Sequence, residues 1–231
     1  MFWAILIVTL WIFLNFGLLF FKWLQSVLIP KSQEIHAIDL RKNKYEIGKT
    51  ISICVVKANP FKNIWFGHIW IVWPEAPPLA NGECEAGFYA HCRFEAAINL
   101  TIAILSPLAI FFGQKPIKGI MRDDKGLHRD FQLDIQIDEE SYQNAIAIDN
   151  LWRQEARYCL RPPIGGQTIS CRDYCFQIAQ SFGLSVNFDK WADFPPISFR
   201  NFLIENKIIE TQISRPYFSY FKFDKLRLAT N

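Results

Sequence analysis

The hydrophobic and polar positions divide the chain into an apolar beginning and a longer part of mixed character. No charged residue interrupts the apolar side chains from Phe2 to Phe21, and Lys22 is the first charge. About 20 apolar residues cross the ~30 Å hydrocarbon core of a bilayer as a helix. A cleavable signal peptide needs a basic start and a small-residue cleavage site, and neither is present. The pattern predicts a permanent single-pass transmembrane anchor over residues 1–29, in contact with membrane lipid.

The basic residues that flank this apolar run all follow it: Lys22, Lys31, Arg41, Lys42 and Lys44. The positive-inside rule places such a flank, and the domain behind it, in the cytoplasm. Residues 30–49 are polar and basic, and they are predicted to form a juxtamembrane linker.

Beyond residue 49, segments rich in β-branched and alternating apolar residues predict a sheet. The predicted strands are 50–58, 63–73, 83–91 and 131–137, and a helix is predicted from about Glu139 to Arg153. The Pro- and Gly-rich loop before residue 83 predicts that the second and third strands form a hairpin. Roughly 200 residues suit one compact domain. We therefore expect an α+β domain over 50–205 and a C-terminal tail over 206–231.

A second apolar run, residues 96–112, contains Pro107. Its length is at the lower limit for crossing a bilayer. The alternatives are a helix buried in the domain and a helix that lies on the membrane surface.

The sharpest helical pattern lies in residues 168–184, where apolar residues recur at helical spacing: Cys171, Tyr174, Cys175, Ile178, Ala179 and Phe182. Ser170 and Asp173 have the spacing of a capping box, and Gly183 followed by Leu184 is typical of a helix end. Cys171 is then the first helical residue, where unpaired N–H groups and the helix dipole stabilise a thiolate. Cys175 lies one turn further on and is predicted to be a packing residue.

Composition narrows the chemistry. The six cysteines include no CxxC pair and show no disulfide framework, so most are expected to be reduced and buried. The net charge of +3, with scattered Lys and Arg, argues against nucleic acid as a partner. The adjacent acids Asp123 and Asp124 are more typical of a solvated turn than of a metal site. We predict no metal and no cofactor.

A thiolate nucleophile needs a base that holds and returns its proton. His68 is the preferred histidine because it lies within a predicted strand, and Gly67 before it leaves space for an approaching group. His36 and His128 lie among polar and charged residues and are expected to be solvated. His91 ends the third predicted strand.

A histidine on an early strand, a hairpin, and a cysteine that opens a late helix follow in an order that resembles the permuted NlpC/P60-like branch of the papain-like fold. That branch includes lecithin:retinol acyltransferase-like enzymes and bacterial amidases or peptidases. The segments that match in order are GHIWIVW, EAGFYA, KGIMRDD and YCLRPPIGGQTISCRDYCFQIAQSFGL. The resemblance covers about residues 60–200. It implies an antiparallel sheet, a helix that bears the nucleophile, and a third polar residue on the strand after His68. Glu85 matches the family's E-A segment there, and His91 is the alternative.

These features predict a membrane-anchored cysteine hydrolase, an amidase or peptidase, with Cys171 as nucleophile, His68 as base and Glu85 orienting the imidazole. A peptide, cell-wall or acyl-lipid substrate is expected: cell-wall material if the domain is periplasmic, a lipid ester or protein amide if it is cytoplasmic. The alternatives are a non-catalytic binding module on the same scaffold and a lipid acyltransferase. The Cys–His hypothesis requires that residues 96–112 do not cross the bilayer.

Overall fold

The computed structural model of the chain describes residues 2–29, 34–62, 64–105, 115–155, 157–160, 169–188 and 194–209. Within them the fold is mixed α+β, with one seven-stranded sheet and an apolar N-terminal helix. The helices are α1 (Phe2–Leu28), α2 (Arg93–Leu105), α3 (Glu139–Glu155), α4 (Cys171–Ser181) and α5 (Pro195–Glu205). The strands are β1 (Glu34–Asp39), β2 (Lys49–Val56), β3 (His68–Val72), β4 (Glu85–Ala90), β5 (Ile117–Asp123), β6 (Phe131–Ile137) and β7 (Arg157–Tyr158), and a 3-10 turn spans Pro60–Lys62.

The strands lie in the order β1-β6-β2-β3-β4-β5-β7, so β3 is in the middle of the sheet. β1 pairs with β6 in parallel, and each of the other neighbouring pairs is antiparallel. The predicted hairpin is confirmed as β3–β4, with Ile71 opposite Ala86. The predicted alternation of residues 131–137 is confirmed as well, because every second side chain of β6 is buried.

Helices cover the core of the sheet. α4 packs against β3 and β4, α3 packs against α4, and α5 packs against β2 and β3. The fully buried Asp149 of α3 joins two of these helices, since its carboxylate accepts the Tyr174 hydroxyl of α4 at 2.5 Å and Arg153 Nε at 2.7 Å. A buried carboxylate with both oxygens bonded fixes the helix direction better than apolar packing alone. The start of α4 is thereby positioned against the sheet.

The structure corrects the expected linker. Within residues 30–49, residues 34–39 form β1, which pairs with β6, so the sheet begins at Glu34 and not at residue 50. A short edge strand with polar side chains carries little apolar alternation, and its partner lies far along the chain. At the other end, Ile208 and Ile209 pack against the core, so the first residues of the expected tail belong to the domain. Residues 210–231 lie outside the described residues.

The apolar run at the start of the chain forms α1, in which residues Ile5–Leu28 are long and apolar enough to cross a membrane. The second apolar run begins as α2, and residues 106–112 lie outside the described residues. The described part is not a buried helix: Phe94 is 75% exposed and Ile98 is 42% exposed. α2 contacts α1.

Candidate functional site

Cys171 begins α4, as the sequence pattern predicts, and Ser170 is the N-cap. The predicted capping pair bonds directly between its side chains: the Ser170 hydroxyl donates to Asp173 Oδ2 at 2.6 Å. Arg172 donates to the other Asp173 oxygen at 2.6 Å and to the Phe188 carbonyl at 3.2 Å. These polar side chains are all buried. They fix the first turn of the helix, and with it the position of Cys171.

The end of α4 is also as predicted. Gly183 has a φ of +87°, a left-handed conformation that favours glycine, and its N–H donates to the Gln180 carbonyl. Leu184 is buried behind it. Cys175 is fully buried, and burial raises the pKa of its thiol well above the ordinary value, as a packing residue requires.

His68 is the first residue of β3 and is 7% exposed. Gly67 before it has a φ of +77°, and a Cβ there would lie 2.8 Å from the Val56 carbonyl and from the Pro196 ring. The glycine therefore allows the chain to turn tightly into β3 at the position where the imidazole begins the strand.

The structure brings Cys171 and His68 together. Burial alone would lower the pKa of the His68 ring, but the neighbouring Cys171, by charge and by a side-chain hydrogen bond, and Asp124 raise it to about 9. His68 Nε2 lies 2.8 Å from Asp124 Oδ2, which leaves Nδ1 for the Cys171 thiol. At neutral pH the His68 ring is therefore a cation, and it lies between Cys171 and Asp124.

Asp124 is held in place by its own contacts. It is 4% exposed, its N–H donates to the Glu85 carbonyl at 3.2 Å, and its Oδ1 accepts the hydroxyl of Tyr89. The Tyr89 ring stacks on the His68 ring with centroids 4.4 Å apart. Burial and the charge of Asp124 raise the pKa of Tyr89, so the hydroxyl remains a donor. One tyrosine thus supports both the carboxylate and the imidazole.

The expected role of Glu85 is corrected. Its carboxylate accepts Trp70 Nε1 at 3.2 Å and Arg129 Nη2 at 2.9 Å, and Asp124 takes the place beside His68. The reason is the hairpin register: Glu85 is opposite Val72, at the far end of β3 from His68. His91, the alternative, is exposed beyond the end of β4.

Asp124 and Tyr89 were not identified from the sequence as members of the site. Asp124 was expected to be solvated together with Asp123, and only Asp123 is exposed. The available signal was Gly87, because a glycine inside a strand marks a close approach by another group. Here the Asp124–His68 pair lies directly over Gly87. Tyr158 of β7 is a further buried neighbour, and burial and the nearby Cys171 charge raise the pKa of its hydroxyl.

Gly87→Ala is expected to disrupt the site without reaching the core. The new Cβ would overlap Asp124 Oδ2 and lie 2.5 Å from His68 Nε2, which forces the carboxylate and the ring apart. Misplacement of this size lowers the reaction rate of Cys171 with an electrophilic thiol probe by about 10²-fold. Gly17→Ala is the control, because its Cβ meets nothing within 4 Å. Wild-type reactivity in a folded Gly87→Ala chain would contradict the geometry.

Within the described ranges, no group of three or more His, Cys, Asp and Glu side chains is arranged to hold a metal ion. Comparisons of the chain with models of protein families, with curated proteins and with solved structures found no match.

Proposed function

We propose that the chain is a membrane-anchored cysteine hydrolase of the permuted papain-like (NlpC/P60) type, which cleaves an amide or ester through a thioester. The observation that carries the proposal is the contact of Cys171 at the start of a helix with a buried His68 whose other ring nitrogen faces Asp124. A nucleophile, a base and a group that orients the base are the three parts that covalent acyl transfer requires. The order of the matching sequence segments supports the same proposal.

In the proposed reaction the Cys171 thiolate attacks the carbonyl carbon, and a C–S bond forms as the carbonyl oxygen becomes an oxyanion. Backbone N–H groups at the start of α4 stabilise that charge. The His68 imidazolium gives its proton to the leaving nitrogen or oxygen as the C–N or C–O bond breaks. Water then attacks the thioester, His68 takes one proton from it, and the carboxylic acid leaves with the thiolate restored. Asp124 keeps the ring aligned throughout.

Contacts between α1 and the rest of the chain support a retained anchor over a removed leader. Trp23 Nε1 donates to the Trp65 carbonyl at 2.8 Å, and Ser26 is fully buried. Lys57 Nζ donates to the Ile29 carbonyl at 2.9 Å, directly after the helix. Loss of α1 would uncover these groups. The basic residues that follow α1 favour the cytoplasmic side for the domain.

Trapping the thioester tests the proposal. The full chain in detergent micelles is mixed with p-nitrophenyl acetate or p-nitrophenyl octanoate, and the reaction is quenched in acid. The chain is then digested, and the mass of the peptide that contains Cys171 is measured by mass spectrometry. We expect that peptide to gain one acyl group. His68→Gln should prevent the gain, because the thiolate loses its cationic partner. His128→Gln is the matched control, since the His128 side chain is 66% exposed.

If Cys171 of a folded chain stays unmodified by both esters, the proposal of a hydrolase is wrong. The alternative is then a non-catalytic binding module on the same scaffold. Transfer of the trapped acyl group to an added alcohol or amine in preference to water would identify an acyltransferase.

A further inference from the structure

Large exposed hydrophobic side chains lie on two segments that contact α1, the loop before β3 and the helix α2. In the loop before β3, Phe61 is 99% exposed, Trp65 is 57% exposed and Phe66 is 46% exposed. On α2, Phe94 is 75% exposed and Ile98 is 42% exposed. We call these five residues the aromatic surface. A large exposed apolar surface marks a contact with a protein or a membrane.

The loop part of the aromatic surface is tied to α1 at a defined depth. The uninterrupted apolar run of α1 ends at Phe21, and Lys22 and Trp23 follow. Lysine and tryptophan are the residues that collect at the headgroup level of a bilayer. Because the Trp23 indole donates to the Trp65 carbonyl at 2.8 Å, the loop lies at the level of Trp23.

The helical part of the aromatic surface lies on α2, which also contacts α1. Phe94 and Ile98 are one helical turn apart, so they share a face. Ala96 is buried against the domain while Phe94 and Ile98 are exposed. This is the arrangement of an amphipathic helix that lies in the plane of a membrane surface.

We propose that the aromatic surface inserts into the headgroup region of the bilayer that α1 crosses, and so docks the domain flat on the membrane. The inference rests on the proposed membrane anchor. The occupant is lipid because both segments contact α1, and the loop does so at Trp23, where α1 leaves the hydrocarbon core. Phe66 precedes His68 by two residues, so docking holds the candidate site at the height of the headgroups.

Photo-crosslinking tests the contact with the full chain in vesicles of equal parts phosphatidylcholine and phosphatidylglycerol. The crosslinking amino acid p-benzoylphenylalanine replaces Phe61 in one chain and Phe94 in a second. Tyr45 is the matched control position, because it is also aromatic and is 99% exposed, on the loop between β1 and β2. We expect phospholipid adducts at positions 61 and 94 that exceed those at position 45 by about tenfold.

Equal lipid adducts at the three positions would overturn the docking, and so would adducts to a second copy of the chain in place of lipid. Labelling of Cys171 by an electrophilic probe is measured in the same samples. If lipid adducts form while Cys171 stays unreactive, the docking stands and the hydrolase does not. If Cys171 reacts and lipid adducts are absent, the hydrolase proposal stands and the docking proposal does not.

Discussion

Replacing Cys171 by serine removes the fast reaction of the chain with an electrophilic thiol probe, whereas Cys175→Ser leaves it intact. Cys171 lies beside the His68 imidazolium, and a neighbouring cation makes a cysteine more reactive toward electrophiles. Cys175 is fully buried with a raised pKa, and it makes an inert control from the next turn of the same helix. We expect the rate of hydrolysis to fall by at least about 10³-fold in the Cys171→Ser chain.

The labelling is measured peptide by peptide at pH about 6, where ordinary thiols are protonated and react slowly. The peptide resolution is needed because Cys92 is exposed and reacts on its own. Fast labelling that persists in Cys171→Ser, or that moves to the Cys175 peptide, contradicts the assignment of the nucleophile.

Removing the carboxylate with Asp124→Ala is expected to lower the rate of Cys171 acylation by about 10²-fold or more. The substitution leaves two buried groups, the His68 Nε2–H and the Tyr89 hydroxyl, without the oxygens that accept them. Asp124→Asn separates geometry from charge, because the amide can bond both groups but carries no charge. It should retain more activity at neutral pH than the alanine variant.

The pH profile gives the sign of the charge effect. The imidazolium that protonates the leaving group is lost as the pH rises through the pKa of His68, about 9, so hydrolysis should decline there. The Asp124 charge is one of the causes that raise this pKa. Without it the pKa is lower, and the alkaline decline moves down by about one pH unit or more in Asp124→Asn. Asp123→Asn, one residue away and exposed, should leave the profile in place. Equal profiles for the two variants would contradict the role of Asp124.

Sequence patterns predicted the strands and helices whose formation depends on residues within one short segment. The alternation of β6 and the two ends of α4 are specified within single short segments, and both were placed correctly, although the Ser170 hydroxyl bonds to the Asp173 side chain and not to the helix backbone as a capping box requires. β1 and β5 were not predicted. β1 forms by pairing with β6 and β5 by pairing with β4, and the sequence of neither segment alone indicates its partner strand. α5 was missed too, since the two prolines at its start and its aromatic side chains weaken the periodic signal.

The same distinction applies to the site. Cys171 was found from its position at a helix start, and His68 from a strand preceded by glycine. Glu85 was predicted to be the carboxylate beside His68 because EAGFYA resembles the E-A segment of NlpC/P60-like proteins. That resemblance favoured a residue on the β3–β4 hairpin. Asp124 arrives from the next strand across, and its approach depends on Gly87 having no side chain. This contact depends on the pairing of β4 with β5, and that pairing cannot be predicted from the sequence of either strand.

The strand β1 shortens the connection between membrane and domain. Only residues 29–33 separate the end of α1 from the first residue of the sheet, and five residues reach at most about 18 Å. With α1 in a bilayer, the candidate site cannot leave the neighbourhood of the lipid to search the surrounding solution. The proposed hydrolase would meet its targets by lateral diffusion, over an area and not through a volume. The surface density of the target, more than its bulk concentration, then sets how often the two meet.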